Sequence, residues 1–135
     1  MYNNILVPVV FDDDHDKSAP VKLAGLLATP GAKITLLHVI ERLPGYAKSY
    51  ITEDLQKELR VTLHQKMDRL AQNLTGAEGV ILEGHPGRTI LDYAGQYGND
   101  LIIIASHRPG VKDYFLGSTA SHVVRHASCA VHVVR

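Results

Sequence analysis

The densest chemistry in the chain lies between Ala105 and Ala127. An apolar run ends at Ala105. Ser106, His107, Arg108 and Gly110 follow, and Gly117-Ser118-Thr119 then opens a helical pattern. Glycine has no Cβ, so Gly117 lets the backbone approach a ligand closely. Ser118 suits the N-cap position, and the free N–H groups of a helix start favour an anion. Ser106, Ser118 and Thr119 offer hydroxyls, and Arg108 offers a charged planar fork that matches phosphate. These residue types in this order describe a phosphate cradle. A plain loop leading into a capped helix accounts for them as well.

Two other groupings invite a reading. Asp12, Asp13, Asp14, His15 and Asp16 follow the first apolar run. Receiver domains hold magnesium with carboxylates placed this way. A receiver also needs an Asp closing its third strand, a Lys closing its fifth and a helix at its end. Here Glu83 closes the third apolar run, no Lys follows Lys112, and the last pattern is a strand. The acidic run is therefore a solvated helix entry or a magnesium contact to a bound nucleotide. His122 and His126, four apart on one helix, have zinc-ligand spacing, with Cys129 and His132 nearby. Against zinc, His132 falls on a strand, and the helix dipole already explains His126 near a C-terminus. Nothing around Cys129 marks it as a reactive thiolate. The chain has no P-loop motif, nucleophile elbow or paired catalytic carboxylates. Groups that position phosphate without a general base favour binding over catalysis.

The elements that must position these groups show as five apolar runs: Ile5 to Val10, Ile34 to Ile40, Val80 to Glu83, Leu101 to Ala105 and Ala130 to Val134. They are rich in β-branched residues and mostly continuous, as in parallel strands covered on both faces. Helical patterns lie between them. Asp16 to Thr29 turns Ala19, Leu23, Leu26 and Leu27 inward and is stopped by Thr29-Pro30-Gly31. Thr52 to Leu74 carries the stripe Leu55, Leu59, Leu63, Met67, Leu70 and Leu74, with Thr52 as cap and acid in the first turn. Pro86 to Tyr97 and Ser118 to His126 follow. Glu41 to Ile51, with Pro44-Gly45, reads as a lid or an irregular loop. Strand and helix alternate, which predicts one α/β domain over residues 1–135: a parallel doubly wound, Rossmann-like sheet with helices on both faces.

Composition narrows the classes. The 135 residues suffice to bury a core. Lys plus Arg and Asp plus Glu each number 14, so the formal net charge is zero and no field draws in nucleic acid or an anionic membrane. The single cysteine allows no intrachain disulfide. No apolar run approaches the roughly 20 residues of a membrane span. The expectation is a soluble, cytoplasmic protein with no nucleic-acid partner and no membrane insertion.

The Ala105 to Ala127 segment resembles the C-terminal signature of the universal stress protein family. That signature is Gly, two residues, Gly, nine residues, then Gly-Ser or Gly-Thr, and it wraps the phosphates of ATP. Asn4-Ile-Leu-Val-Pro8-Val, Leu36-Leu-His-Val39, Glu83-Gly-His-Pro86, Leu101-Ile-Ile-Ile-Ala-Ser-His107 and His126-Ala-Ser-Cys-Ala-Val-His-Val-Val134 are similar to other stretches of the family, nearly the whole chain in all. The likeness is strongest to its small single-domain bacterial branch. Ala105 and Arg108 replace the first two signature glycines, and eight residues separate Arg108 from Gly117. Val10 stands where the family often has Asp, with Asp12 and Asp13 just beyond.

The resemblance implies strand order 3-2-1-4-5, with a crevice above the C-terminal ends of strands one and four. It implies ATP, or ADP or AMP, with magnesium, held by Pro8, Val9, Val10, Asp12, Val39, Ala105, Ser106, His107, Arg108, Gly110, Gly117, Ser118 and Thr119, the Val39 backbone serving adenine. Such a protein is a nucleotide-binding regulatory module with an unidentified protein partner. A weak ATPase or self-modifying enzyme and a structural stress protein with an empty cleft are the alternatives. The fifth strand, at a sheet edge and without Pro or Lys, suits a two-fold homodimer, an arrangement the resemblance also implies.

Overall fold

A computed structural model describes residues 1–11, 17–42, 44–48, 50–106 and 116–135. The strands are β1 Tyr2–Pro8, β2 Ala28–Ile40, β3 Ala77–Glu83, β4 Leu101–Ala105 and β5 Ala130–Val134. The helices are α1 Ser18–Leu27, α2 Gly45–Lys48, α3 Glu53–Gln72, α4 Pro86–Tyr97 and α5 Ser118–His126. Every ladder is parallel, and the order is β3-β2-β1-β4-β5, as expected.

The continuous apolar runs serve two layers at once. Ile5, Val7, Val9, Ile34, Leu36, Leu101 and Ile103 face Ala24 of α1 and Met67 of α3. Leu6, Leu37, Ile102 and Ile104 face the opposite way, under Ile90, Tyr93 and Ala94 of α4 and Ala120 and Val123 of α5. Alternation along each strand thus divides one run between two cores. Among the described residues, no helix is long and apolar enough to cross a membrane.

Several boundaries differ from the sequence expectation. β1 starts at Tyr2 and ends at Pro8, so Val9 and Val10 lie beyond it; Val9 N–H still donates to Leu37 O (2.9 Å), and Val10 is 47% exposed. Thr29-Pro30-Gly31 is not a turn after α1. β2 begins at Ala28 and runs through it, absorbing the three residues as a register break between Tyr2↔Ala28 and Asn4↔Lys33. Leu26 faces solvent, because α1 packs through Pro20 and Ala24. A short helix, α2, occupies part of the connection read as a lid or an irregular loop.

Thr52 caps α3 as predicted, accepting from Leu55 N–H at 3.1 Å. The stripe packs only in its second half. Met67 is buried and Leu63, Leu70 and Leu74 are half-buried, whereas Leu55 and Leu59 are exposed. Length explains this. A helix of 20 residues spans about 30 Å, and the seven-residue β3 beneath it spans about 23 Å, so the first turns overhang the sheet.

The two central strands are tied at one end by side chains. The β1–β4 ladder holds only Ile5↔Leu101 and Leu6↔Ile102. Just before it, the Asp100 carboxylate accepts from the backbone N–H groups of Asn3 (2.9 Å) and Asn4 (3.0 Å). Asp100 N–H donates to Asn4 O (2.9 Å), Asn99 Nδ2 to Asn4 Oδ1 (2.9 Å), and Asn4 Nδ2 to Tyr97 O (2.9 Å). Gly98, in the left-handed region at φ 66°, ends α4 and turns the chain into this clamp. Asp100→Ala removes two charge-assisted bonds and is expected to cost about 2–3 kcal/mol of stability. Urea unfolding followed by circular dichroism measures it; a loss no larger than that of a surface substitution would show that the clamp is not what ties β1 to β4.

Candidate functional site

Past Leu6↔Ile102, β1 runs on beside β4 to Pro8, which has no N–H to extend the ladder, and β4 runs to Ala105. The chain leaves β1 for α1 on one face and β4 for α5 on the other. That is the topological switch point at which doubly wound sheets open a crevice.

The expected site residues fall at this end of the sheet where they are described. Pro8 closes β1 opposite Leu37. Val9 is buried, and His38 Nδ1 meets its carbonyl at 2.9 Å. A carbonyl only accepts, so Nδ1 carries the proton in this bond. Phe11 tilts onto the same imidazole, with ring centroids 5.3 Å apart. His38 thus clips the end of β1 to β2, a role that sequence reasoning missed. Val39 is half-buried and pairs with Leu82. Ala105 pairs with Val134. Asp12, His107, Arg108 and Gly110 lie outside the described residues, as do Asp13, Asp14, His15 and Asp16.

Ser106 and Gly117 meet across the connection between β4 and α5. Ser106 N–H donates to Val134 O (2.9 Å), and Gly117 N–H donates to the Ser106 carbonyl. Ser106 itself is only 3% exposed, so it belongs to the packing beneath the site. Gly117 has φ −59° and ψ 159°, angles open to any residue. Its need for glycine is steric: a Cβ there would lie 2.5 Å from the Ser106 carbonyl oxygen. The N-cap expectation is corrected here. Gly117 is the N-cap, with no side-chain cap bond, and Ser118 is the first helical residue. The Gly117–Ser106 bond sets where the helix starts and moves Ser118 one position inward.

Ser118 and Thr119 line a groove of about 1340 Å³, shared with His122 of α5 and with His85, Arg88 and Tyr93 of α4. Pro8, Val9, Val10, Val39, Ala105 and Ser106 are not part of its lining. Its far end carries the Lys33–Glu78 ion pair (3.1 Å), in which the hydrogen bond to Glu78 and then its charge hold the Lys33 ammonium above its usual range. Among the described residues, no group of three or more His, Cys, Asp or Glu side chains is placed to hold a metal ion, although His122 and His126 lie with ring centroids 4.6 Å apart. Burial pushes the Cys129 thiol up, away from thiolate chemistry.

The sequence matches the universal stress protein family across residues 1–135. The chain belongs to that family. It is 31% identical over 140 residues to universal stress protein A homolog 2 of Coxiella burnetii, covering 99% of this chain and 95% of the relative. Among solved structures it is similar to the universal stress protein UspA from Lactobacillus plantarum, with TM-score 0.74, 30% identity and 99% and 98% of the two chains covered. The universal stress protein from Archaeoglobus fulgidus solved in complex with dAMP shares the fold, with TM-score 0.62, 21% identity and 99% and 98% covered.

The geometry separates two neighbouring substitutions. Gly117→Ala drives a Cβ into backbone and is expected to cost about 1–3 kcal/mol, the range of overpacking. Ser118→Ala removes no cap bond from an exposed side chain and is expected to stay within about 0.5 kcal/mol of the parent. Paired urea titrations check this, and equal losses would mean that Ser118 caps α5 after all.

Proposed function

We propose that the chain binds an adenine nucleotide in the crevice between the C-terminal ends of β1 and β4 and acts as a regulatory binding module in the stress response. The observation that carries this reading is that the connections after the neighbouring strands β1 and β4 leave on opposite faces of the sheet at their C-terminal ends. The α5 start, fixed by the Gly117–Ser106 bond, supplies N–H groups and the hydroxyls of Ser118 and Thr119 for the phosphates. The family resemblance adds Arg108, His107 and Gly110 as phosphate contacts and Asp12 as support for magnesium. The adenine lies against the backbone at Val9, Val10 and Val39. The dAMP complex of the Archaeoglobus relative supports an adenine nucleotide, with ATP, ADP and AMP as the ligands to test.

Binding to the folded state raises its stability by mass action, about 2.7 kcal/mol at a hundredfold excess over Kd. Differential scanning fluorimetry and calorimetry with ATP, ADP and AMP, with and without magnesium, are expected to show a higher melting temperature and measurable heat. No shift and no heat with any of the three at millimolar concentration would remove the proposal.

The same reading includes a two-fold dimer through β5. This strand is a sheet edge, with Ala130 and His132 exposed and Val131 and Val133 packed inward toward α5. Antiparallel pairing of two copies covers both edges and closes the assembly. His132→Asp sets like charges across that pairing while sparing the inward valines. Light scattering is expected to show a dimer for the parent and a monomer for the variant; a monomeric parent at tens of micromolar removes the interface.

A further inference from the structure

Three imidazoles gather where α4 meets α5. His122 lies 5.9 Å from His85 and 4.6 Å from His126, ring centroid to ring centroid. The contact is tight. A Cβ on Gly87 would come within 2.7 Å of His122 Cδ2, so only glycine lets α4 sit this close to the ring. Arg88 stands one residue further along α4, and His85, Arg88 and His122 line the same groove as Ser118 and Thr119.

Among the described residues, this corner collects basic groups with no ion-paired carboxylate. The charged groups acting on His122 are His126 on its own helix and His85 and Arg88 on α4. The strands beneath α5 bring Ile102, Ile104, Val131 and Val133, all apolar. Of the carboxylates lining the groove, Glu78 pairs with Lys33 and Glu83 with Arg60. Among the described residues, Glu41 and Asp92 make no ion pair with any of the three rings. His85 Nδ1 accepts from Arg88 N–H (3.3 Å) and caps α4.

We propose that His122, with His85 and Arg88, forms a proton-gated subsite for a tetrahedral dianion at the α5 end of the groove. The group bound is a phosphate, carried by a nucleotide or free. His122 follows Ser118 and Thr119 by about one helical turn, and helical side chains lean toward the N-terminus, so its ring leans toward the α5 start. With the subsite empty, protonation adds a cation to a corner that already holds Arg88. Burial, and then the charges of His126, His85 and Arg88, hold His122 below the ordinary histidine value. The unfolded chain then takes up the proton first, so stability present above about pH 6.5 falls as pH drops toward the folded value. An anion reverses the balance. It favours the protonated ring, raises the His122 midpoint, and by linkage binds more tightly as pH falls.

The source of the phosphate rests on the proposed nucleotide site; the subsite itself does not. The test is a histidine NMR titration between pH 5 and 8, with and without sodium sulfate, whose charge is constant over that range, and separately with ATP. Saturating sulfate is expected to raise the His122 midpoint by about one unit. Sulfate affinity is expected to be about fivefold higher at pH 5.5 than at pH 8, and His122→Gln is expected to flatten that dependence. Arg88→Met, which keeps all three imidazoles, is expected to weaken sulfate at both pH values. Movement of His122 by sulfate but not by ATP would leave the anion subsite standing without a nucleotide in it. Binding of ATP with His122 unmoved by either ligand would overturn the subsite and leave the nucleotide site untouched. An unchanged pH dependence in His122→Gln would also overturn it.

Discussion

Two central strands that share a two-pair ladder need an anchor outside the ladder, and in this protein the anchor is the Asp100 carboxylate. It accepts the N–H groups of Asn3 and Asn4 while Asp100 N–H returns a bond to Asn4 O. Asn99 and Asn4 lace the same corner together and reach the end of α4 at Tyr97. The clamp fastens β1 and β4 at their N-terminal ends, at the opposite end of the sheet from the switch point.

At the open end, backbone contacts take over. His38 holds the Val9 carbonyl, and Gly117 returns the chain to Ser106. The first is a bond from the His38 side chain to the main chain, the second a bond between two main-chain groups, and they fix the chain just past β1 and β4. Two residues that differ from those the family usually has lie at these ends: Ala105, in place of a signature glycine, and Val10, where the family often has Asp. Both positions keep their backbone roles, pairing with Val134 at one and following the clipped Val9 at the other.

The parallel sheet and its two-faced helical layers were legible in the sequence, because continuous apolar strands and 3.6-residue stripes both report burial, while the strand order came with the family resemblance. Misreadings arose where burial and local signal part. Thr29-Pro30-Gly31 carries turn chemistry, yet lies in β2, since an edge irregularity accommodates residues that would break a central strand. Leu55 and Leu59 keep helical spacing while overhanging the sheet; periodicity records which way a side chain points along the helix and says nothing about what lies opposite. Ser118 read as a cap because serine favours that position, but a bond made by the residue before it decided where the helix began. The contacts of His38, His85 and His122 had no sequence signal, since each depends on a partner brought in by the fold.

The Asn4–Asp100 clamp also bears on the order in which the molecule assembles. Its partners stand 96 residues apart, whereas β1 meets β2 across the single crossover of α1. A chain emerging from the ribosome therefore presents β1, β2, β3 and the helices α1 and α3 long before β4 exists. These elements form a local unit with one covered face, and one side of β1 stays without a partner until synthesis passes Asp100. Closure of that gap is the contact of highest separation in the central sheet, and non-local closures of this kind set the pace of folding. Until then the nascent half-sheet exposes the backbone of β1 along the very edge that later receives β4.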